Sequence, residues 1–141
     1  MHMRAFSDVQ AGYAAEPAWL AQWIDRIDGL PEVIENWRGL CDPPNVTARR
    51  NAASALRAIA RVALDLEPTE VVPMADEGVL IWLRSVTRGV MPPSVECYNG
   101  GAVVFSLSTT ADDLAWDVAP DDLAGAARAF ADRIRSERTD A

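Results

Sequence analysis

Few residues in this chain are of types that do chemistry, and their spacing decides how far each can be taken. The single histidine, His2, stands at the second position, so the body of the chain has no histidine to serve a nucleophile or a zinc ion. All 13 basic residues are arginine, which removes Schiff-base chemistry and a Walker-type phosphate loop. Cys97 lies in an apolar, β-rich run beside Glu96. The expected role there is a small buried hydrophobe, because a reactive thiol needs a cation or a helix N-terminus to lower its pKa. Cys41 falls in a loop, and a structural role is expected for it too.

Carboxylates are the remaining candidates. Asp112, Asp113 and Asp117, with Asp121 and Asp122, carry the hard oxygens that a divalent cation prefers, but they lack the spacing and glycine of a calcium loop. Asp121 and Asp122 are better explained as first-turn residues of a helix, and Asp112 and Asp113 as a solvated turn. The expectation is no metal and no cofactor. Glu96 with Trp82 and Tyr98 suggests a carboxylate in an aromatic pocket, where general acid chemistry would need it. Strand alternation puts Glu96 and Tyr98 on one face and Cys97 on the other, so an inward Cys97 makes the pair a surface contact strip. Trp19 and Trp23, four apart, form a helical stripe that is either core or a partner surface. Arg49, Arg50, Arg57 and Arg61 read as a solvated helical face, neutralised by Asp65, Glu67 and Glu70.

The elements that position these residues follow from periodicity. Residues 1–15 have no period and are expected to form a mobile arm ahead of one domain spanning 16–141. Pro17 opens a helix over 17–28 that buries Trp19, Leu20, Trp23, Ile24 and Ile27. A second short helix is expected over 31–38, presenting Val33, Ile34 and Trp37. After the Cys41–Asn45 loop, a long helix runs over 46–66, with Asn45 or Thr47 as cap, Ala52, Leu56, Ile59, Ala63 and Leu66 as its buried stripe, and Pro68 as its stop.

The period then changes to that of strands, expected over 70–74, 79–85, 94–99, 102–108 and 114–118. Asn99-Gly100-Gly101 marks a tight hairpin, the asparagine and glycine supplying positive φ. Pro120, Asp121 and Asp122 open a last helix over 120–137 that buries Leu123, Phe130 and Ile134. The class is α+β: N-terminal helices, a three- to five-stranded antiparallel meander, and a C-terminal helix.

From Glu70 to Val118 the chain resembles a group of small bacterial proteins with a helical N-terminal half and a β-meander. The resemblance rests on Pro73, on Asp76-Glu77-Gly78-Val79 entering a strand, and on a Glu-x-x-Asn-x-Gly hairpin formed by Glu96, Asn99 and Gly101. Glu77 replaces one glycine of the usual pair, and Trp82 is one place from the usual strand tryptophan. It covers a third of the chain, implies the meander, and carries no activity.

Composition bounds the function. With 141 residues the chain suits one domain. A net charge of −8 argues against nucleic acid and anionic membranes as partners, and for a basic protein partner. The start, Met1 to Arg4, has no apolar run behind it, so a cytoplasmic protein with reduced cysteines is expected. An arginine-, alanine- and aspartate-rich composition resembles that of high-GC bacteria. The leading expectation is a non-enzymatic protein-binding domain, monomer or homodimer, that regulates or neutralises a partner in the manner of immunity proteins, antitoxins or inhibitors. Trp19, Trp23, Glu96 and Tyr98 are its candidate contacts. The rival expectation is a small-molecule- or metal-binding module, or a small enzyme, built on Glu96 or the Asp112–Asp122 carboxylates.

Overall fold

A computed structural model describes residues 16–31, 34–36, 39–75, 77–84 and 89–140. The expected arm over 1–15 lies outside the described residues. In chain order the elements are α1 (Trp19–Asp28), β1 (Ile34–Asn36), β2 (Gly39–Cys41), α2 (Val46–Val62), β3 (Pro68–Pro73), β4 (Val79–Leu83), β5 (Ser94–Cys97), β6 (Val103–Ser108), β7 (Asp113–Val118) and α3 (Leu123–Asp140). A 3-10 turn, Pro120–Asp122, leads into α3. The chain is α+β, as its periodicity indicates. Strands β3 to β7 form one five-stranded antiparallel sheet in sequence order, and β1 and β2 pair separately.

Alternation along the strands divides this sheet into two faces. One face carries Val79, Ile81, Leu83, Val95, Cys97, Val103, Phe105 and Leu107, all buried. The register aligns Val71, Ile81, Val95, Phe105 and Trp116 across all five strands. Against this face packs α2, whose alanines 48, 52 and 55 are fully buried and let its backbone come close, while Leu56 and Ile59 fill the space between. Each of those larger side chains contributes about 1.5–3 kcal/mol through its burial. Helix α1 lies on one side of α2 and brings Leu20, Trp23 and Ile27; α3 lies on the other and brings Phe130 and Ile134. The Phe105 and Phe130 rings meet at 5.0 Å.

Two of the expected helices are corrected. The described part of the 31–38 segment is not helical: Ile34–Asn36 pairs antiparallel with Gly39–Cys41, with Asn36 opposite Gly39. An eight-residue segment cannot recover the cost of nucleating a helix from three apolar positions, two of them β-branched. The long helix ends at Val62, not at 66. Ala63 leaves helical geometry at φ −150°, while Ala63 and Leu66 still reach the core, so the apolar stripe continued past the helix that it defined. Smaller shifts place β3 at Pro68–Pro73, β4 at Val79–Leu83 and β5 at Ser94–Cys97.

The β5–β6 turn also works differently from expectation. Gly101 adopts φ +104°, but no residue other than glycine has positive φ among those described, so Asn99 is not there for its backbone. It clamps the start of α2 instead. The Asn45 N–H donates to Asn99 Oδ1 at 2.9 Å, Asn45 Nδ2 donates to the Asn99 carbonyl at 3.0 Å, and Asn99 Nδ2 donates to the Pro43 carbonyl at 3.0 Å. Asn45 Oδ1 remains free to cap the helix, accepting from the Ala48 N–H at 2.9 Å.

Candidate functional site

The sequence candidates fall in four places. Trp19 and Trp23 belong to the helix packing. Trp23 is 7% exposed and its indole N–H has no partner among the described residues, while Trp19 donates from Nε1 to the Leu64 carbonyl at 3.0 Å. The Arg26 guanidinium sits 5.3 Å from the Trp23 ring centre. Both indoles hold α1 against the rest of the core.

Cys97 is a free thiol with no solvent exposure. Burial, with a smaller contribution from the Glu96 carboxylate, pushes its pKa up to about 12. It is protonated at neutral pH and inert, the role its sequence setting indicates.

Glu96 and Tyr98 lie on the opposite face, half-buried, and the Tyr98 hydroxyl donates to Glu96 Oε2. The register surrounds Glu96 with Leu80 on one side and Val104 on the other, and carries the row on to Val72 and Asp117. A parallel row runs Glu70, Trp82, Ser94, Ser106, Ala115. This face points away from the core that the three helices build. Its charge is one-sided: β3 to β7 contain no basic residue, and their charged residues are Glu70, Glu96, Asp113 and Asp117.

The aspartates spread out. Asp112 closes the β6–β7 turn, its carbonyl accepting from the Thr109 N–H at 2.8 Å. Asp113 and Asp117 project from β7, and Asp121 and Asp122 sit in the 3-10 turn. All five are exposed, and among the described residues no three metal-ligating side chains gather closely enough to hold an ion.

Sequence reasoning missed two features. Arg49 is not on a solvated face. Its guanidinium donates to five carbonyls, those of Pro44 (2.9 Å), Ile27 (2.9 Å), Asp28 (3.2 Å), Leu30 (3.0 Å) and Pro31 (3.3 Å), four of which lie at or just beyond the C-terminus of α1. Arg50, Arg57 and Arg61 are exposed, as expected of that face.

The second feature is the open edge at β7. Trp116, on the core side of this strand, is 36% exposed and meets Phe130 edge-on at 5.9 Å. Beside it lies a small pocket of about 130 Å³, lined by Phe105, Trp116, Val118, Ala126 and Phe130, with Asp122 at its side. The signal in the sequence was the alternation Asp113-Leu114-Ala115-Trp116-Asp117, which puts both carboxylates on one face and the indole on the other.

No protein-family model, curated protein or solved structure matches the chain.

Proposed function

We propose that this protein is a binding domain that regulates or neutralises a basic protein partner, as immunity proteins, antitoxins and inhibitors do. The observation that carries this reading is the one-signed outer face of the five-stranded sheet. Leu80, Trp82, Val104 and Tyr98 offer half-buried apolar surface there, and every charged residue within the five strands is acidic. A face of this composition attracts a cationic surface at long range and gives it apolar area on contact. Arg26, Arg50, Arg57, Arg61 and Arg128 lie on the helices, and Arg84, just past β4, is paired with Glu67 at 3.3 Å. Cys97 contributes no nucleophile to a competing enzymatic reading.

The test is capture of a partner on the immobilised full chain from its native host, with high-salt washing. One stoichiometric basic protein is expected, and its retention should fall at least about tenfold on Glu96→Arg or Val104→Arg. Recovery of the bait alone, or a partner indifferent to both substitutions, would count against the reading.

A further inference from the structure

We propose that the β7 edge takes a partner's extended basic segment as a sixth antiparallel strand, with an apolar side chain of that segment entering the pocket beside Trp116. The inference rests on the binding function proposed above and names the element of the partner that is recognised.

The two edges of the sheet differ in kind. At β3, prolines stand at both ends of the strand and α1 packs on it. Pro73 occupies an outward position, where its missing N–H removes a donor from the open side. No proline interrupts β7, and Asp113, Ala115, Trp116 and Asp117 are all exposed.

The hydrogen-bonding phase at this edge follows from the hairpin. The Thr109 N–H bonds the Asp112 carbonyl, and the register pairs Leu107 with Leu114 and Phe105 with Trp116. Alternation then turns the backbone groups of Leu114, Trp116 and Val118 toward β6. Those of Asp113, Ala115 and Asp117 point outward. The bond from Tyr98 N–H to the Ala102 carbonyl gives the same phase one strand further in. Three residues thus present N–H and C=O to an incoming strand, enough to bind an extended peptide through its main chain.

The side chains set what that peptide must be. Residues opposite Asp113 and Asp117 share the outer face with those carboxylates, so arginine or lysine is favoured at both, four positions apart. The residue between, opposite Ala115, has room but no charge to meet. Residues opposite Leu114 and Trp116 turn to the inner face, where the pocket accepts one apolar group and Trp116 covers it. A second copy of this chain fits poorly. Pairing β7 with itself at full length, Ala115 opposite its copy, sets Asp113 against Asp117 twice, and like charges directly opposite are destabilising.

The test uses a capped synthetic peptide, Ser-Arg-Leu-Thr-Val-Arg-Ser, and the full chain, followed by Trp fluorescence and by exchange protection of the β7 amides. Binding is expected, with protection of the Asp113, Ala115 and Asp117 N–H groups. N-methylation of the peptide at the central threonine removes a bond to the edge and should weaken binding at least about tenfold, while N-methylation at the leucine should be tolerated. Replacing both peptide arginines by glutamate, or Ala115→Pro in the protein, should also cost at least about tenfold. Absence of binding, or loss that does not depend on which amide is methylated, overturns the strand assignment without any variant having to fold. If a basic protein is captured and Ala115→Pro leaves its retention unchanged, the binding function stands and the edge assignment falls. If the peptide binds in the predicted phase but no protein is captured, the edge assignment stands and the regulatory reading falls.

Discussion

Arg49 offers the sharpest test of the structure, because the same residue read from sequence is an ordinary surface arginine. Replacement by methionine keeps the length and apolar stem of the side chain and removes the guanidinium. Five carbonyls lose a donor, three of them in part-buried positions: Pro44, Ile27 and Leu30. Water can reach the Asp28 and Pro31 carbonyls, so these two contribute little. Hydrogen bonds from a charged donor are worth about 1.5–3 kcal/mol when buried and nearer 1 where carbonyls can be resolvated, which makes the loss about 3 kcal/mol. That is a large part of the roughly 10 kcal/mol typical for a chain of this length. In urea, with a slope of about 1.5–2 kcal/mol per molar, the unfolding midpoint should fall by about 1.5–2 M. Arg49→Lys should recover less than half, since an ammonium cannot span carbonyls arranged around a planar fork. Arg50→Met and Arg57→Met, on the exposed face, should each stay within about 0.5 kcal/mol. A midpoint for Arg49→Met no lower than that of Arg50→Met would refute the claim that the guanidinium joins α1 to α2.

Four further perturbations follow from single contacts. Gly78→Ala should destabilise by more than about 2 kcal/mol, because Gly78 sits at φ +94° and a Cβ there would overlap the Cys97 carbonyl oxygen; Gly100→Ala, in open space, should be near neutral in the same urea titration. Asn45→Ala and Asn99→Ala should each cost about 1–2 kcal/mol, and a double-mutant cycle should show them sub-additive by about 1 kcal/mol, since each side chain bonds the other residue's backbone and so holds it in place. Trp19→Phe should lose more stability than Trp23→Phe relative to the area removed, because only the Trp19 indole N–H has an acceptor to lose. Cys97 gives a pH signature. Its folded pKa lies above the value of 9.0 that it has when exposed, so the native state holds the proton longer than the unfolded state does, and its contribution is complete below pH 9 and lost as pH rises toward about 12. Stability measured by urea at stepped alkaline pH should fall by at most about 1.4 kcal/mol per unit from this group, and Cys97→Ala should flatten that slope.

Strands β4 and β6 were legible because one face of each is buried, and burial on one face writes a period of two into the sequence. Helices α1 and α3 were legible for the equivalent reason. The misreadings share a cause. Over 31–38 the window holds only Val33, Ile34 and Trp37 as apolar markers, too few to separate a period of 3.6 from a hairpin. At the end of α2 the apolar positions Ala63 and Leu66 continue the helical spacing, though the chain that carries them has already turned. Arg49 and Asn99 were misplaced because their partners are backbone carbonyls and amides far along the chain. Those groups exist at every residue, so side-chain patterning says nothing about which of them a guanidinium or carboxamide will meet.

The same distinction separates the two halves of the candidate site. Glu96 and Tyr98 could be placed on a common outward face from alternation alone, since Cys97 between them is apolar and its neighbours are not. The β7 edge could not, because openness belongs to strand order rather than to any residue. In a meander of sequential hairpins the first and last strands must both be edges, and the chain treats them oppositely. Prolines at 68 and 73 and the packing of α1 guard β3, while among the described residues β7 is guarded only by Asp113 and Asp117. A charged guard is conditional in a way that a proline is not: it repels a second copy of the same strand and attracts a segment of opposite charge. Under the strand addition proposed above, such an edge disfavours self-association and favours a basic partner, which assigns Asp113 and Asp117 a part in selectivity as well as in solubility. Asp113→Asn with Asp117→Asn removes the guard without adding a clash. Sedimentation of this double variant should show stronger concentration-dependent self-association than the parent chain, together with weaker binding of the arginine peptide. A monomeric double variant that binds the peptide as the parent does would show that neither carboxylate acts at the edge.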